Sequence, residues 1–134
     1  MELVRSIYAA WERGDFSSAE WAHPEIEYVQ AEGPGPGVWT GRAGMAEGTR
    51  DFLGTWKEFR IEADAFRELD DERVLVLQRH SGRGKTSGVE VGQTWAKGAS
   101  VFHVRGGKVT RLVGYFDRER ALADLDLSEQ DADG

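Results

Sequence analysis

The chain pairs a helix at its start with a strand at its end, and that pairing limits the folds open to it. In residues 2–13, Leu3, Ile7 and Trp11 recur at helical spacing, with Val4, Tyr8 and Ala10 widening the apolar stripe. Gly14 suits the left-handed position that ends a helix, and Asp15 can cap a short second helix running to Ala22. Near the other end, Gly106-Gly107 makes a hairpin turn into a strand over residues 108–117. Helix first and strand last frame a single curved sheet folded over the helix as a cone. A cone of this kind encloses a pocket.

Between these ends the pattern changes from mixed to nearly all strand. His23-Pro24 ends the short helix, because a residue before proline avoids the helical region. Residues 25–31 alternate, with Ile26, Tyr28 and Gln30 on one face and Glu27 and Val29 on the other. Gly-Pro-Gly-Pro-Gly at 33–37 is a loop. Met45, Thr49, Phe52, Leu53 and Trp56 form a second helical stripe over residues 42–57. Gly44, Gly48 and Gly54 each weaken that helix by roughly 1 kcal/mol relative to Ala and suggest close packing or mobility. Strands follow at 59–69, 73–83, 89–104 and 108–117, joined by short polar or glycine-rich turns, so the sheet is mostly antiparallel. Gly92 and Gly98 inside the long strand read as bulges. Asp117 caps a last helix that runs to Leu125. Residues 1–126 are expected to form one α+β domain, and 127–134 an acidic, disordered tail.

A chain of 134 residues is of single-domain length and buries roughly two-thirds of its unfolded surface on folding. With no cysteine, disulfides and thiolate chemistry are excluded. No apolar run approaches a membrane span and no signal peptide is evident, which leads to the expectation of a cytoplasmic protein. A net charge of −7 argues against nucleic acid, which needs clustered Lys and Arg. Arg79, Arg83 and Lys85 read as a solvated hairpin tip.

Chemical motifs are few. Gly84-Lys85-Thr86 ends like a phosphate loop, but Arg79 stands where that loop needs its first glycine, and the segment joins two strands. The 33–37 loop cannot cradle a pyrophosphate, since proline has no N–H. The histidines lack metal-ligand spacing, and neither a cofactor nor a metal is expected. His23 reads as a loop residue, His103 as exposed, and His80 as a structural histidine or a proton-transfer group. Asp70, Asp71 and Glu72 read as solvated turn residues, and Asp117 as a helix cap that could also edge a cavity.

The order helix, short helix, strand, helix, four antiparallel strands resembles the nuclear transport factor 2-like superfamily, and within it the small SnoaL-like proteins of bacteria. The likeness lies in Ile7 to Phe16, in Trp39-Thr40-Gly41-Arg42-Ala43-Gly44, in Gly106-Gly107-Lys108-Val109 and in Tyr115-Phe116-Asp117-Arg118-Glu119. It implies a cone-shaped sheet wrapped around N-terminal helices, of the cystatin-like type, and a homodimer formed through the sheet face. The superfamily includes steroid isomerases, polyketide cyclases, epoxide hydrolases, dehydratases and members with no chemistry. Carried over by position, the isomerases' general-base aspartate falls at Gln30 and their helix tyrosine at Ile7. Their protonated aspartate falls near Ser100, and the cyclases' aspartate at Gly114. Gln30 cannot take a proton, Ile7 cannot donate one, Ser100 is a poor acid and Gly114 supplies nothing, so isomerase and cyclase chemistry is disfavoured.

What remains is a pocket walled by Ile7, Trp11, Tyr28, Trp39, Phe52, Trp56 and Phe102, with Gln30, Ser100 and His80 as polar contacts and Gly114 beside them. It suits a small, flat, mostly apolar ligand with one or two hydrogen-bonding groups. Two other readings stand beside it. One is an inert homodimeric module, because Leu75, Leu77, Val113 and Tyr115 put apolar groups on the second sheet face. The other is an isomerase, hydrolase or dehydratase using His80 with Arg79, Ser81 or Ser100. Whether the protein is an enzyme stays open.

Overall fold

In a computed structural model, residues 2–13, 15, 20–31, 37–54, 56–84, 94–115 and 117–125 are described. They form α1 (Glu2–Glu12), β1 (Ala22–Gln30), β2 (Gly37–Thr40), α2 (Gly41–Gly54), β3 (Trp56–Glu68), β4 (Arg73–Gly84), β5 (Thr94–Arg105), β6 (Lys108–Tyr115) and α3 (Arg118–Asp124). The six strands make one open sheet in the order β2-β1-β6-β5-β4-β3. Every neighbouring pair is antiparallel except β1 with β6, which run parallel. The fold class is therefore α+β with a mixed sheet, as expected.

The two faces of the sheet are filled differently. Val4, Ile7 and Tyr8 of α1 and Met45 of α2 pack on Ile26, Ile61, Val74, Val76, Phe102, Val109 and Leu112, which form the larger core. On the opposite face, Ala121 and Leu122 of α3 cover Leu75, Leu77, Ala99, Val101, Val113 and Tyr115. Asp117 caps α3 by accepting from the Glu119 amide at 3.0 Å. Arg118 then pins the helix to the sheet, donating to the Gln78 carbonyl at 2.9 Å, the Gly98 carbonyl at 3.3 Å and Asp64 at 2.9 Å. The apolar residues that suggested an open dimer face are thus buried by the chain's own last helix. These residues therefore present no exposed apolar face for a second copy.

Several sequence expectations move. Ala22 belongs to β1, and His23-Pro24 lies within that strand, where Nδ1 of His23 accepts from the Glu25 amide at 3.0 Å. A proline at the start of a strand costs no ladder bond there, so it begins an element instead of ending one. Trp39 is in a short edge strand, paired with Tyr28. The second helix stops at Gly54, so Trp56 opens β3 instead of sitting on a helical stripe. Gly98 stays in register opposite Gln78. The bends occur at Asp64, at His103/Val104, between Lys57 and Arg60, and between Ala22 and Glu27. His103 is half-buried, with Arg73 and Arg111 as its strand neighbours; burial and those two arginines lower its pKa. Arg79 is no hairpin tip: it bonds Asp64 at 2.8 Å and Glu62 at 3.2 Å. The bulge at Gly92, the end of the first helix at Gly14, Lys85 and the tail at 127–134 lie outside the described residues.

Candidate functional site

Strand register assembles a row of residues across the inner face. Val76 pairs with Ser100, Ser100 with Gly114, Gly114 with Gln30 and Gln30 with Gly37. Three positions marked from the resemblance, Gln30, Ser100 and Gly114, are therefore immediate neighbours on β1, β5 and β6. Adjacent strands lie about 4.8 Å apart, so the row spans roughly 10 Å from Ser100 to Gln30.

A polar cluster occupies this row. Ser100 Oγ donates to Gln78 Oε1 at 3.0 Å, and the hydroxyl of Tyr8 also donates to Gln78 Oε1. Gln30 Nε2 donates to the Tyr28 hydroxyl at 2.7 Å. Gln30, Gln78 and Ser100 are the buried polar side chains among the described residues, 5–6% exposed, and none of them ionises. Burial pushes the Tyr8 phenol above its usual range and outweighs the opposing effect of the neighbouring Ser100 hydroxyl. Tyr28 is shifted the same way, again first by burial. These described members of the cluster are neutral at physiological pH: hydroxyls and amides, with no buried carboxylate among the described residues.

The cluster is not fully satisfied. Both hydroxyls converge on Gln78 Oε1, so its amide nitrogen has no acceptor among the described residues. The amide oxygen of Gln30 likewise has no donor there. Buried groups of this kind are costly to leave unpaired and ordinarily have a partner. Between them lies Gly114. A Cβ built on it would meet, within 4 Å among the described residues, only the main-chain oxygen of Val29, at 3.9 Å. A side-chain carbon fits above the glycine.

The aromatic wall divides. Tyr8, Trp11, Phe66 and Phe102 pack edge-on and tilted against one another, with centroids 5.0–6.2 Å apart, and Phe102 is fully buried in this core. Trp11 also meets Trp21 at 6.1 Å. Ile7 and Trp11 look onto a different space, an outer cleft of about 310 Å³ between α1 and the β5–β6 hairpin. Trp39 lies against Tyr28 (5.7 Å) and over Gly44 and Gly48 of α2. Phe52 is in α2, Trp56 opposite Gly84, and His80 opposite Ala96 and Ile61; the side chains of these three lie outside the described residues.

The helix residue that reaches the cluster is Tyr8, not Ile7. One residue along a helix is a turn of about 100°. Gln78 was missed as well. Its signal was present, since it continues the inward alternation Val74, Val76 with a polar side chain.

The SnoaL-like domain family matches residues 4–112. The chain belongs to that family. Among solved structures, this SnoaL-like protein is similar to TerC co-crystallised with polyporic acid, at 24% identity and TM-score 0.72, covering 94% of this chain and 95% of that one. It is also similar to an NTF2-like protein of unknown function from Burkholderia pseudomallei K96243, at 20% identity and TM-score 0.75, covering 92% and 94%. A third is a protein with a ketosteroid isomerase-like fold from Catenulispora acidiphila DSM 44928, in complex with trimethylamine. It is 16% identical with TM-score 0.68, covering 96% and 95%. At these identities the likeness establishes the fold alone. No curated protein matches the chain. No described helix is long and apolar enough to cross a membrane.

Proposed function

We propose that this SnoaL-like protein binds a small, flat, mostly apolar molecule on its inner sheet face, above Gly114. The observation that carries the reading is the space over that glycine, flanked by Ser100 and Gln30 in register. The apolar residues of α1 and the sheet supply the walls. The neutral amides and hydroxyls supply orientation, which matches the composition of small-molecule sites. That TerC and the Catenulispora protein were crystallised with small molecules agrees with this use of the fold.

Acid–base chemistry has no support among the described residues. Tyr8 and Ser100 both spend their protons on Gln78, and the raised phenol makes Tyr8 a donor that does not become a base near neutrality. The function proposed is binding. The test fills the space. Quenching of tryptophan fluorescence by 2-naphthol and 2-acetylnaphthalene is measured for wild type, Gly114→Ala and Gly114→Leu, with circular dichroism to confirm folding. Affinity is expected to fall progressively from Gly to Ala to Leu. Equal binding by a folded Gly114→Leu would place the site elsewhere.

A further inference from the structure

The apolar stripe of α1 is wider than the face it buries in the core. Val4, Ile7 and Tyr8 are buried on the sheet, whereas Leu3, Ala10 and Trp11 are half-buried and line the outer cleft of about 310 Å³. Leu3, Ser6, Ile7 and Ala10 stand at helical spacing and make one wall of that cleft. The opposite wall is the segment leading into β1, which two bonds hold to β6. The Val109 amide donates to the Trp21 carbonyl at 2.9 Å, and Lys108 Nζ donates to the Glu20 carbonyl. Trp11 and Trp21 meet edge to face between the walls, with centroids 6.1 Å apart and planes at 78°. The cleft is therefore apolar and fixed on both sides, with a volume at the low end for small-molecule sites.

The rim decides which charge the cleft accepts. Asp15 and Glu20 are exposed acidic residues at its edge, and Lys108 is the basic residue among its described lining. Lys108 already gives its ammonium to the Glu20 main-chain oxygen, so an incoming anion would compete with that bond. A cation has more to gain. Indole is the aromatic side chain that attracts cations most strongly, and two indoles lie beside two acidic residues here. The net charge of −7 biases approach in the same direction. We propose that the outer cleft is a second binding site, for a small amphipathic amine. Its apolar body lies against Leu3, Ile7 and the two indoles, and its charged nitrogen faces Asp15 and Glu20. The site is separate from the inner face, where Gly114 lies in register with Gln30 and Ser100. Because the acidic residues stay in water, the apolar contact supplies most of the affinity and the charge supplies the selectivity.

The test uses three probes of similar size: phenethylamine (cation), 2-phenylethanol (neutral) and phenylacetate (anion). Each is titrated into the full chain at low salt while the indole N–H signals are followed by nuclear magnetic resonance. Trp11→Phe and Trp21→Phe assign the two signals that matter. Phenethylamine is expected to shift both saturably and to bind about tenfold more tightly than 2-phenylethanol, with phenylacetate weakest. That preference should shrink as salt is added. The double variant Asp15→Asn, Glu20→Gln should bring the amine down to the level of the alcohol. Should it not fold, Glu20→Gln alone is used and a smaller loss in the same direction is expected. Ala10→Leu, which fills the cleft from the helix side, should weaken all three probes. Equal binding of amine and alcohol, or an amine preference that survives removal of the acidic residues, overturns the amine class. Tighter binding of phenylacetate overturns it in favour of Lys108. No saturable shift of either indole, or binding that Ala10→Leu leaves unchanged, overturns the cleft as a site. Loss of amine binding in a folded Gly114→Leu would put the amine on the inner face and overturns it too.

Discussion

Two glycines one turn apart on α2 give opposite answers to the same substitution. At Gly44 an added Cβ would lie 3.5 Å from Trp39 Cβ and farther from everything else described, an ordinary contact. Gly44→Ala therefore gains the helix preference of alanine, about 1 kcal/mol. At Gly48 the same atom would sit 2.7, 2.9 and 3.1 Å from three atoms of the Trp39 indole. That ring is held from the sheet side by Tyr28, with centroids 5.7 Å apart, and cannot swing clear as a flexible chain end would. Overpacking of this kind costs about 1–3 kcal/mol, so after the helix gain Gly48→Ala should destabilise by about 0–2 kcal/mol. The two variants should differ by about 1–3 kcal/mol, or roughly 4–12 °C in melting temperature for a chain of this size. Thermal unfolding followed by circular dichroism reads the difference directly. Adding Trp39→Leu should rescue Gly48→Ala and leave Gly44→Ala unaffected, a coupling that a double-mutant cycle isolates. If Gly48→Ala stabilises as much as Gly44→Ala, the indole does not lie on the helix. Trp39 would then be free to line the ligand space, as the sequence suggested.

Three further outcomes follow from the cited contacts. Because burial raises the Tyr8 phenol, the unfolded chain loses that proton first; its stability contribution is complete below about pH 10 and falls as pH rises further. Urea unfolding between pH 8 and 11 should show a decline that Tyr8→Phe flattens, at a cost near neutrality of about 1 kcal/mol for the lost hydrogen bond. Burial alone would raise the Asp64 carboxyl, but bonds from Arg118 and Arg79 outweigh it and hold it below the usual range. Its contribution is therefore present above about pH 4 and lost as pH falls through the depressed value, and Asp64→Asn should make acid unfolding begin less steeply than in wild type. Asp117→Ala removes the cap of α3 and should cost about 1 kcal/mol in chemical denaturation; no loss would mean the cap bond is not made in solution.

What the sequence determined by itself is most of the elements and the faces they present. The stripe in α1, the alternation in β1 and β4 and the paired glycines of the β5–β6 turn are local signals. Gly106 and Gly107 adopt φ of +59° and +78°, which a two-residue hairpin of this type demands. Side-chain period alone puts Gln30, Ser100 and Gly114 on one face once their strands are known to be neighbours. Tertiary structure decided the rest. A helix offers a new direction every residue, so only packing could choose Tyr8 over Ile7 as the group that enters the cluster. The second sheet face looked bare because α3 is short and far along the chain from β4, yet Arg118 and the Asp64 bulge bring it there. Whether a buried glutamine finds its partners is likewise invisible along the chain. It depends on which hydroxyls arrive from α1 and β5, and here two arrive at one oxygen.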